Sequence, residues 1–292
     1  MKYSEDNMPL QCILTHSTNY LQGSYRSTPP LGVVVHSTGA NNPWVKRYVQ
    51  ALSDEPNYQY LQSVIGVNTN YNSWNQLANN YVGVHGFCGR MADGHVQFVQ
   101  TLPWYMQAWH VGQGWSGYSL NNYYVGIEMC EDGLNDYNYL MDVYNEMVEI
   151  IAYLCVYFGW NVYGSNYIGG QQIPVITTHY QGYLLGAASG HIDPTNWWDQ
   201  YGLSIEQFRN DVQACINKGQ EEDIVTQAEF NQMMATYLGE LAGKPTSDWA
   251  EDAMNWAKNE GILVGDEAGN DMGQKFMTRQ ELAAVLQRIL EK

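Results

Sequence analysis

The chain has 292 residues, 45% of them hydrophobic, which is enough to bury one large domain and a second small one. Its formal net charge of −17 argues against nucleic acid and against membrane lipid as partners, because both are anionic and would be repelled. No apolar run approaches the roughly 20 residues that span a bilayer. The N-terminus lacks the apolar segment of a secretory signal, so we expect synthesis in the cytoplasm without a signal peptide.

Strand-like and helical patterns alternate through residues 1–215. Short hydrophobic runs predict four strands, at residues 32–36, 96–100, 124–129 and 174–179. Apolar residues recur at helical spacing over residues 140–158, which predicts a long helix that stops at Gly159. Strands that alternate with helices indicate an α/β domain with a mixed central β-sheet flanked by helices.

A polar, charged stretch at residues 216–224 is predicted to be a linker to a small all-α module at residues 225–292. The module contains two Thr-x-x-Glu pairs, Thr226 with Glu229 and Thr278 with Glu281. Each pair predicts a capping box, in which the Thr hydroxyl accepts from a free N–H of the first helical turn and the Glu reaches back to the cap. Both threonines are therefore expected at helix N-termini.

Four segments of this module carry a resemblance to a known repeat; they are residues 248–250, 256–257, 261–266 and 278–282. They resemble a single S-layer homology repeat. The resemblance implies binding to a secondary polymer of the Gram-positive cell wall. A helical module that docks on another protein or forms a homo-oligomer is the alternative.

Three potential metal ligands follow predicted strands. His36 ends the first strand, His179 ends the last one, and Asp193 lies in the loop beyond it. Two imidazoles and a carboxylate that converge above a sheet edge leave the fourth tetrahedral position of a zinc ion open, as a metal hydrolase requires. A histidine at a strand end more often has a structural role, so the spacing alone leaves both interpretations open.

Five short motifs occur in a fixed order through the first domain, at residues 33–39, 84–97, 108–112, 125–129 and 177–198. Together they resemble the type-2 N-acetylmuramoyl-L-alanine amidases, relatives of the peptidoglycan recognition proteins and of many phage endolysins. The resemblance implies the same mixed-sheet fold. It also implies cleavage of the amide bond between N-acetylmuramic acid and the L-alanine of peptidoglycan.

The resemblance implies specific roles for four residues. One Zn²⁺ ion would be bound by His36, His179 and Asp193, with Asp193 in the position where some relatives have a cysteine. Glu128 would be the general base that activates the attacking water and returns the proton to the leaving amine. A strand carboxylate that faces solvent is the alternative role for Glu128.

His191 lies two residues before Asp193, where relatives often have a lysine that stabilises the oxyanion of the intermediate. A protonated imidazole can donate similarly only below its pKa, so activity is expected to fall at alkaline pH. Its alternative role is to orient a metal ligand. The resemblance also assigns His85, Trp109 and His110 to the substrate groove, with structural packing as their alternative.

Three functions compete: an amidase, a non-catalytic peptidoglycan-binding protein and a structural S-layer protein. The amidase is favoured because all three ligand positions and Glu128 are filled. A cytoplasmic start, a catalytic domain and a tail that resembles a wall-binding repeat predict a phage or prophage endolysin of a Gram-positive host, released through a holin. An exported host autolysin is the alternative.

Overall fold

The structure is a computed structural model that describes residues 3, 7–55, 57–77, 81–222, 227–265, 273–274 and 276–291. The chain divides into two compact units, Met1–Asp223 and Ile224–Lys292. Within the described ranges, no helix is both long enough and apolar enough to cross a membrane.

A six-stranded mixed β-sheet forms the centre of the first unit. The strands of this unit are β1 (Leu10–Gln11), β2 (Gly32–Ser37), β3 (Gly86–Arg90), β4 (Val96–Gln100), β5 (Tyr124–Met129), β6 (Ser165–Ile168), β7 (Gln171–Pro174) and β8 (Ile176–Thr178). The order in the sheet is β1-β4-β3-β5-β2-β8, and β6 pairs with β7 in a separate hairpin. Only β3 and β4 run antiparallel within the six-stranded sheet. The predicted mixed α/β fold is confirmed.

Nine α-helices lie within the described residues. They are α1 (Thr18–Gln22), α2 (Tyr58–Ile65), α3 (Tyr137–Phe158), α4 (His179–Leu184), α5 (Thr195–Trp198), α6 (Ile205–Glu222), α7 (Gln227–Gly243), α8 (Glu251–Asn259) and α9 (Arg279–Leu290). The predicted long helix is α3, and it ends where expected. Gly159 adopts a left-handed conformation (φ 68°) that lets its N–H donate to the carbonyls of Cys155 and Val156.

The two faces of the sheet have different roles. Side chains alternate along a strand, so Val33 and Val35 of β2 point to one face, while Val34 and His36 point to the other. The first face packs against α3 in a core that also contains Ile127 of β5 and buried residues of α6. This core fixes the sheet and leaves the opposite face, at its His36 end, for polar side chains.

The last strand of the sheet is shorter than predicted. β8 ends at Thr178, so His179 is the first residue of α4 and not the last residue of a strand. The reason is a helix cap: the Thr178 hydroxyl accepts a hydrogen bond of 3.0 Å from the N–H of Gln181. His179 still follows the strand end directly, where the sequence placed it.

The predicted linker at residues 216–224 is largely helical. α6 continues to Glu222. Its residues Phe208, Val212 and Ile216 recur at helical spacing and are buried in the core of the first unit. The two units therefore divide after this helix, at residue 223.

The second unit consists of α7, α8 and α9. Its predicted capping box at Thr278 is confirmed: the Thr278 side chain accepts from the N–H of Glu281 (3.2 Å), and the Glu281 carboxylate accepts from the N–H of Thr278 (2.7 Å). Thr226 of the other predicted box lies outside the described residues, as does Asp266 of the repeat-like segments.

Candidate functional site

Three parallel strands bring the candidate site together at their carboxyl ends. In the sheet register His36 of β2 lies opposite Glu128 of β5, and on its other side Val35 pairs with Thr178 of β8. His179, the next residue, therefore emerges beside His36. The carboxyl ends of parallel strands commonly form ligand sites for this reason.

The three predicted metal ligands converge. The Nδ1 atoms of His36 and His179 are 3.1 Å apart. The Asp193 carboxylate lies 3.1 Å from Nδ1 of His36 through Oδ2 and 3.4 Å from Nδ1 of His179 through Oδ1. Ligands at about 2.0–2.1 Å from a tetrahedral zinc ion are separated by roughly 3.3 Å. Two imidazoles and one carboxylate at this spacing can hold a metal ion and leave a position open.

The loop that carries Asp193 is anchored by two tryptophans in α5. Trp197 and Trp198 are fully buried. Trp197 stacks on Tyr139 of α3 with ring centroids 6.2 Å apart, and Trp198 stacks on Phe208 of α6 at 5.2 Å. These contacts fix Asp193 relative to the core, although the residue itself belongs to a loop.

The charges of the ligand set depend on burial and on mutual hydrogen bonds. Burial alone would raise the pKa of Asp193, but hydrogen bonds from His179 and His36 outweigh it and hold the pKa well below its usual range. Burial also lowers the pKa of His36. The carboxylate form of Asp193 and the neutral form of His36 are the forms that bind metal ions.

Glu128 lies beside the ligand set in an unusual environment. Burial raises its pKa well above the usual value, and the nearby carboxylates of Asp193 and Glu131 raise it further. Its Oε2 atom is buried without a hydrogen-bond partner among the described residues. A buried carboxylate with a raised pKa, next to a metal position, has the properties of a general base.

The site opens into a cavity of about 900 Å³. Most of the residues predicted from the sequence line it: His36, Trp109, His110, Glu128, His179, His191 and Asp193. Among the described residues that line it, none is a lysine or an arginine.

His85 is not among the residues that line the cavity. It is fully buried, and burial lowers its pKa well below the usual value. Its Nε2 lies 2.9 Å from the carbonyl of Met106, and its Nδ1 accepts from the N–H of Gly126 at 3.1 Å. Both ring nitrogens are therefore used to join backbone segments, which is a structural role.

His191 lies at the cavity rim. Its ring stacks on that of His179 with centroids 4.5 Å apart and an interplanar angle of 3°. Its Nδ1 is 3.6 Å from Asp193 Oδ1, beyond hydrogen-bonding distance, and its side chain is 61% exposed. This position is compatible with both roles considered for His191, donation to substrate and orientation of a ligand.

Trp109 and His110 occupy different depths. Trp109 is half-buried, lines the cavity and packs edge-on against Tyr81 at 5.5 Å. His110 is buried, and its Nδ1 lies 2.8 Å from Nε2 of His36, on the side of the ring away from His179. The motif that contains both residues thus contributes to the cavity wall and to the surroundings of a metal ligand.

Several residues of the cavity wall were not predicted from the sequence. Glu131 is buried there and accepts a hydrogen bond from the hydroxyl of Ser37. Ser189 Oγ donates to the carbonyl of Val111 (2.8 Å) and lies 3.4 Å from Nε2 of His179. No spacing rule marks a lone serine, but Glu131 stands three residues after Glu128, just beyond the motif at residues 125–129.

Gly126 is required by the close approach of His110. An added Cβ at position 126 would lie 2.5 Å from Nδ1 of His110.

We predict that Gly126→Ala lowers the free energy of unfolding by about 1–3 kcal/mol, because the ring or the strand must move. Gly239→Ala in α7 is the control, since an added Cβ there meets nothing within 4 Å. Denaturant unfolding of both variants measures the free energy of unfolding. A Gly126→Ala variant as stable as the wild type would contradict the prediction.

The family model for N-acetylmuramoyl-L-alanine amidase matches residues 26–196. The comparison with curated proteins gave no match.

Several solved structures are similar to the chain. Staphylococcus aureus hydrolase AmiA in complex with its ligand is 20% identical, with 69% of this chain and 77% of that chain covered and a TM-score of 0.39. A mutant endolysin from Bacillus subtilis is 17% identical, with 70% and 97% covered and a TM-score of 0.40. A selenomethionine derivative of AmpD is 18% identical, with 70% and 93% covered and a TM-score of 0.40.

The family match spans more than half of the 292-residue chain. It includes Glu128 and the three converging side chains that could hold a metal ion, His36, His179 and Asp193. The chain therefore belongs to the N-acetylmuramoyl-L-alanine amidase family.

Proposed function

We propose that this peptidoglycan amidase uses one Zn²⁺ ion held by His36, His179 and Asp193, with Glu128 as the general base. The bond that breaks joins the lactyl group of N-acetylmuramic acid to the L-alanine of the stem peptide. The observation that carries the proposal is the convergence of three metal-binding side chains beside a buried carboxylate in one cavity.

Zinc suits the donor set better than magnesium or calcium does. Two imidazole nitrogens and one carboxylate oxygen favour zinc over magnesium or calcium, which prefer oxygen ligands. When bound, zinc supplies a Lewis acid that polarises a carbonyl group and lowers the pKa of water towards neutrality. The three side chains that would hold the ion come from β2, from the first residue of α4 and from the loop that carries Asp193.

Glu128 accepts a proton and later donates it in this reaction. Its carboxylate lines the cavity, and the unpartnered Oε2 is available to accept a proton from the attacking water. The raised pKa makes the carboxylate a stronger base than an exposed glutamate. The same carboxyl group then donates that proton to the nitrogen of the leaving L-alanine, so that the cleaved amine leaves neutral.

Two further residues act on the substrate. His191, exposed at the rim and next to Asp193, donates a hydrogen bond to the developing oxyanion when it is protonated. Trp109 offers an indole face in the cavity wall, where the glycan or peptide of the substrate packs. His191 would otherwise act by holding His179 in place through ring stacking.

The direct test is the release of fragments from purified Gram-positive cell walls. We expect soluble stem peptides that begin with a free L-alanine amine, loss of release with a chelator, and recovery when zinc is restored. Mass spectrometry of the fragments identifies the bond. Wall binding without cleavage would reject the proposal and leave a peptidoglycan-binding protein.

Glu128→Gln separates catalysis from stability. We expect kcat to fall by about 10²–10⁴-fold, because the amide cannot accept the proton. We also expect the metal-free variant to be more stable than the metal-free wild type at neutral pH. The pKa of Glu128 is higher in the folded state than in the unfolded state, so stability is lost as the pH rises through that interval, and glutamine removes the effect.

Glu149→Gln in α3 is the control for this pair of effects, because Glu149 is exposed and lies outside the cavity. Activity assays and pH-dependent thermal unfolding measure both. A Glu128→Gln enzyme with near wild-type kcat would reject Glu128 as the base.

The second unit, we propose, is a wall-binding module of the S-layer homology type, and the whole chain acts as an endolysin of a phage or prophage. Its support is a set of exposed apolar side chains that the unit does not cover itself: Phe230, Met233, Tyr237, Trp249, Trp256, Leu282, Leu286 and Ile289. Single repeats bury their apolar faces poorly without neighbours. A homo-oligomer formed through these side chains is the alternative.

Trp249→Ala tests the wall-binding role, because the Trp249 side chain is 89% exposed. We expect co-sedimentation with Gram-positive walls to weaken by roughly tenfold, as for an aromatic anchor at an interface. Tyr71→Ala, at a residue of the first unit that is 88% exposed, is the matched control. Unchanged wall binding, with a lower molar mass of the variant by light scattering, would favour the oligomer.

A further inference from the structure

Two buried histidines lie side by side next to the ligand set, and they differ in how their nitrogens are used. The rings of His85 and His110 have centroids 6.4 Å apart. His85 satisfies both nitrogens with backbone groups, those of Met106 and Gly126. His110 uses one ring nitrogen, Nδ1, which lies 2.8 Å from Nε2 of His36, while its own Nε2 is buried without a partner among the described residues.

This difference argues against a purely structural role for His110. A buried, unpaired ring nitrogen costs free energy, and an apolar side chain of similar size would avoid the cost. His85 shows that this part of the fold can satisfy an imidazole fully. The one interaction that an apolar side chain at position 110 could not provide is the contact with His36.

The direction of the His36–His110 hydrogen bond follows from the metal site. Nδ1 of His36 faces His179 and Asp193, so it is the nitrogen that binds a metal ion and must carry a free lone pair. The proton of the neutral His36 ring then resides on Nε2. That N–H points at Nδ1 of His110, which accepts.

We propose that His110 is a positioning residue for the metal ligand His36: by accepting from Nε2–H, it fixes the tautomer and the ring orientation that direct Nδ1 at the metal. The inference rests on the metal site of the proposed function. Carboxylates, backbone carbonyls or water usually play this part for a metal-bound histidine, and here a second imidazole does.

The acceptor is itself held firmly. The backbone N–H groups of His110 and Val111 both donate to Oδ1 of Asn121, at 2.8 and 2.9 Å. The ring lies over Gly126, the residue that leaves room for it in β5. The ring planes of His36 and His110 are nearly perpendicular, at 89°. His110 therefore presents Nδ1 from a fixed direction.

The test compares His110→Leu with His110→Asn in the full-length protein. Leucine removes the acceptor, whereas the Oδ1 of asparagine can occupy about the place of Nδ1 and accept. Zinc affinity is measured by competition with a chromophoric chelator. We expect His110→Leu to bind zinc about 10–100-fold more weakly than the wild type. We expect the zinc affinity of His110→Asn to remain within about threefold of that of the wild type. The melting temperatures of the metal-free leucine variant and the metal-free wild type should stay similar.

A second measurement reads the tautomer directly. Long-range ¹H–¹⁵N spectra of the zinc-loaded wild type should show His36 protonated at Nε2 and not at Nδ1. Zinc affinity of His110→Leu within about threefold of wild type, or equal weakening by leucine and asparagine, would overturn the inference. If the wild type binds zinc but cleaves no peptidoglycan, and His110→Leu binds zinc more weakly, the proposed function is rejected and the positioning role stands. A wild type without affinity for zinc would overturn the positioning role.

Discussion

The hydrogen bonds that place β2 between β5 and β8 are the constraint on which the site depends. They set His36 opposite Glu128 on one side and bring His179 to the other. A shift of one residue in either register would turn these side chains to the helix-covered face and bury their charge in an apolar core. The valines of β2 prevent that shift, because only one register buries them against α3.

The buried carboxyl groups of the candidate site lower the stability of the folded protein. Glu128 and Glu131 are carboxyl groups whose pKa burial raises, and they lie near the Asp193 carboxylate. Taking such groups out of water is unfavourable unless a partner or a cation compensates. The buried tryptophans of α5 and the apolar face of α3 supply the rigidity that holds this arrangement together. The site thus depends on the core that covers the other face of the sheet.

The sequence predicted those parts of the fold that have a strong local signal. The valine run of β2 and the apolar spacing of α3 have a clear period, and both elements occur where predicted. α6 was missed because polar and charged residues dominate the sequence at residues 216–222, while its buried positions, Phe208, Val212 and Ile216, are few. The end of β8 was misjudged because a helix cap at Thr178 competes with the strand.

The residues around the candidate ligands were harder to predict for a different reason. Ordered motifs marked His36, His179 and Asp193, and the structure brings them together. The roles of His85 and His110 depend on which backbone or side-chain atom lies about 3 Å from each ring nitrogen. That distance is set by tertiary packing between segments far apart in the chain, and neither period nor spacing encodes it.

The wide separation of the site residues along the chain has a consequence for biosynthesis. His36 belongs to the second strand, whereas Asp193 follows the last strand, in a loop that the tryptophans after it anchor to the core. A nascent chain that has not yet emerged beyond Trp198 therefore carries at most an incomplete ligand set. The candidate site thus becomes complete only after most of the first unit has been synthesised.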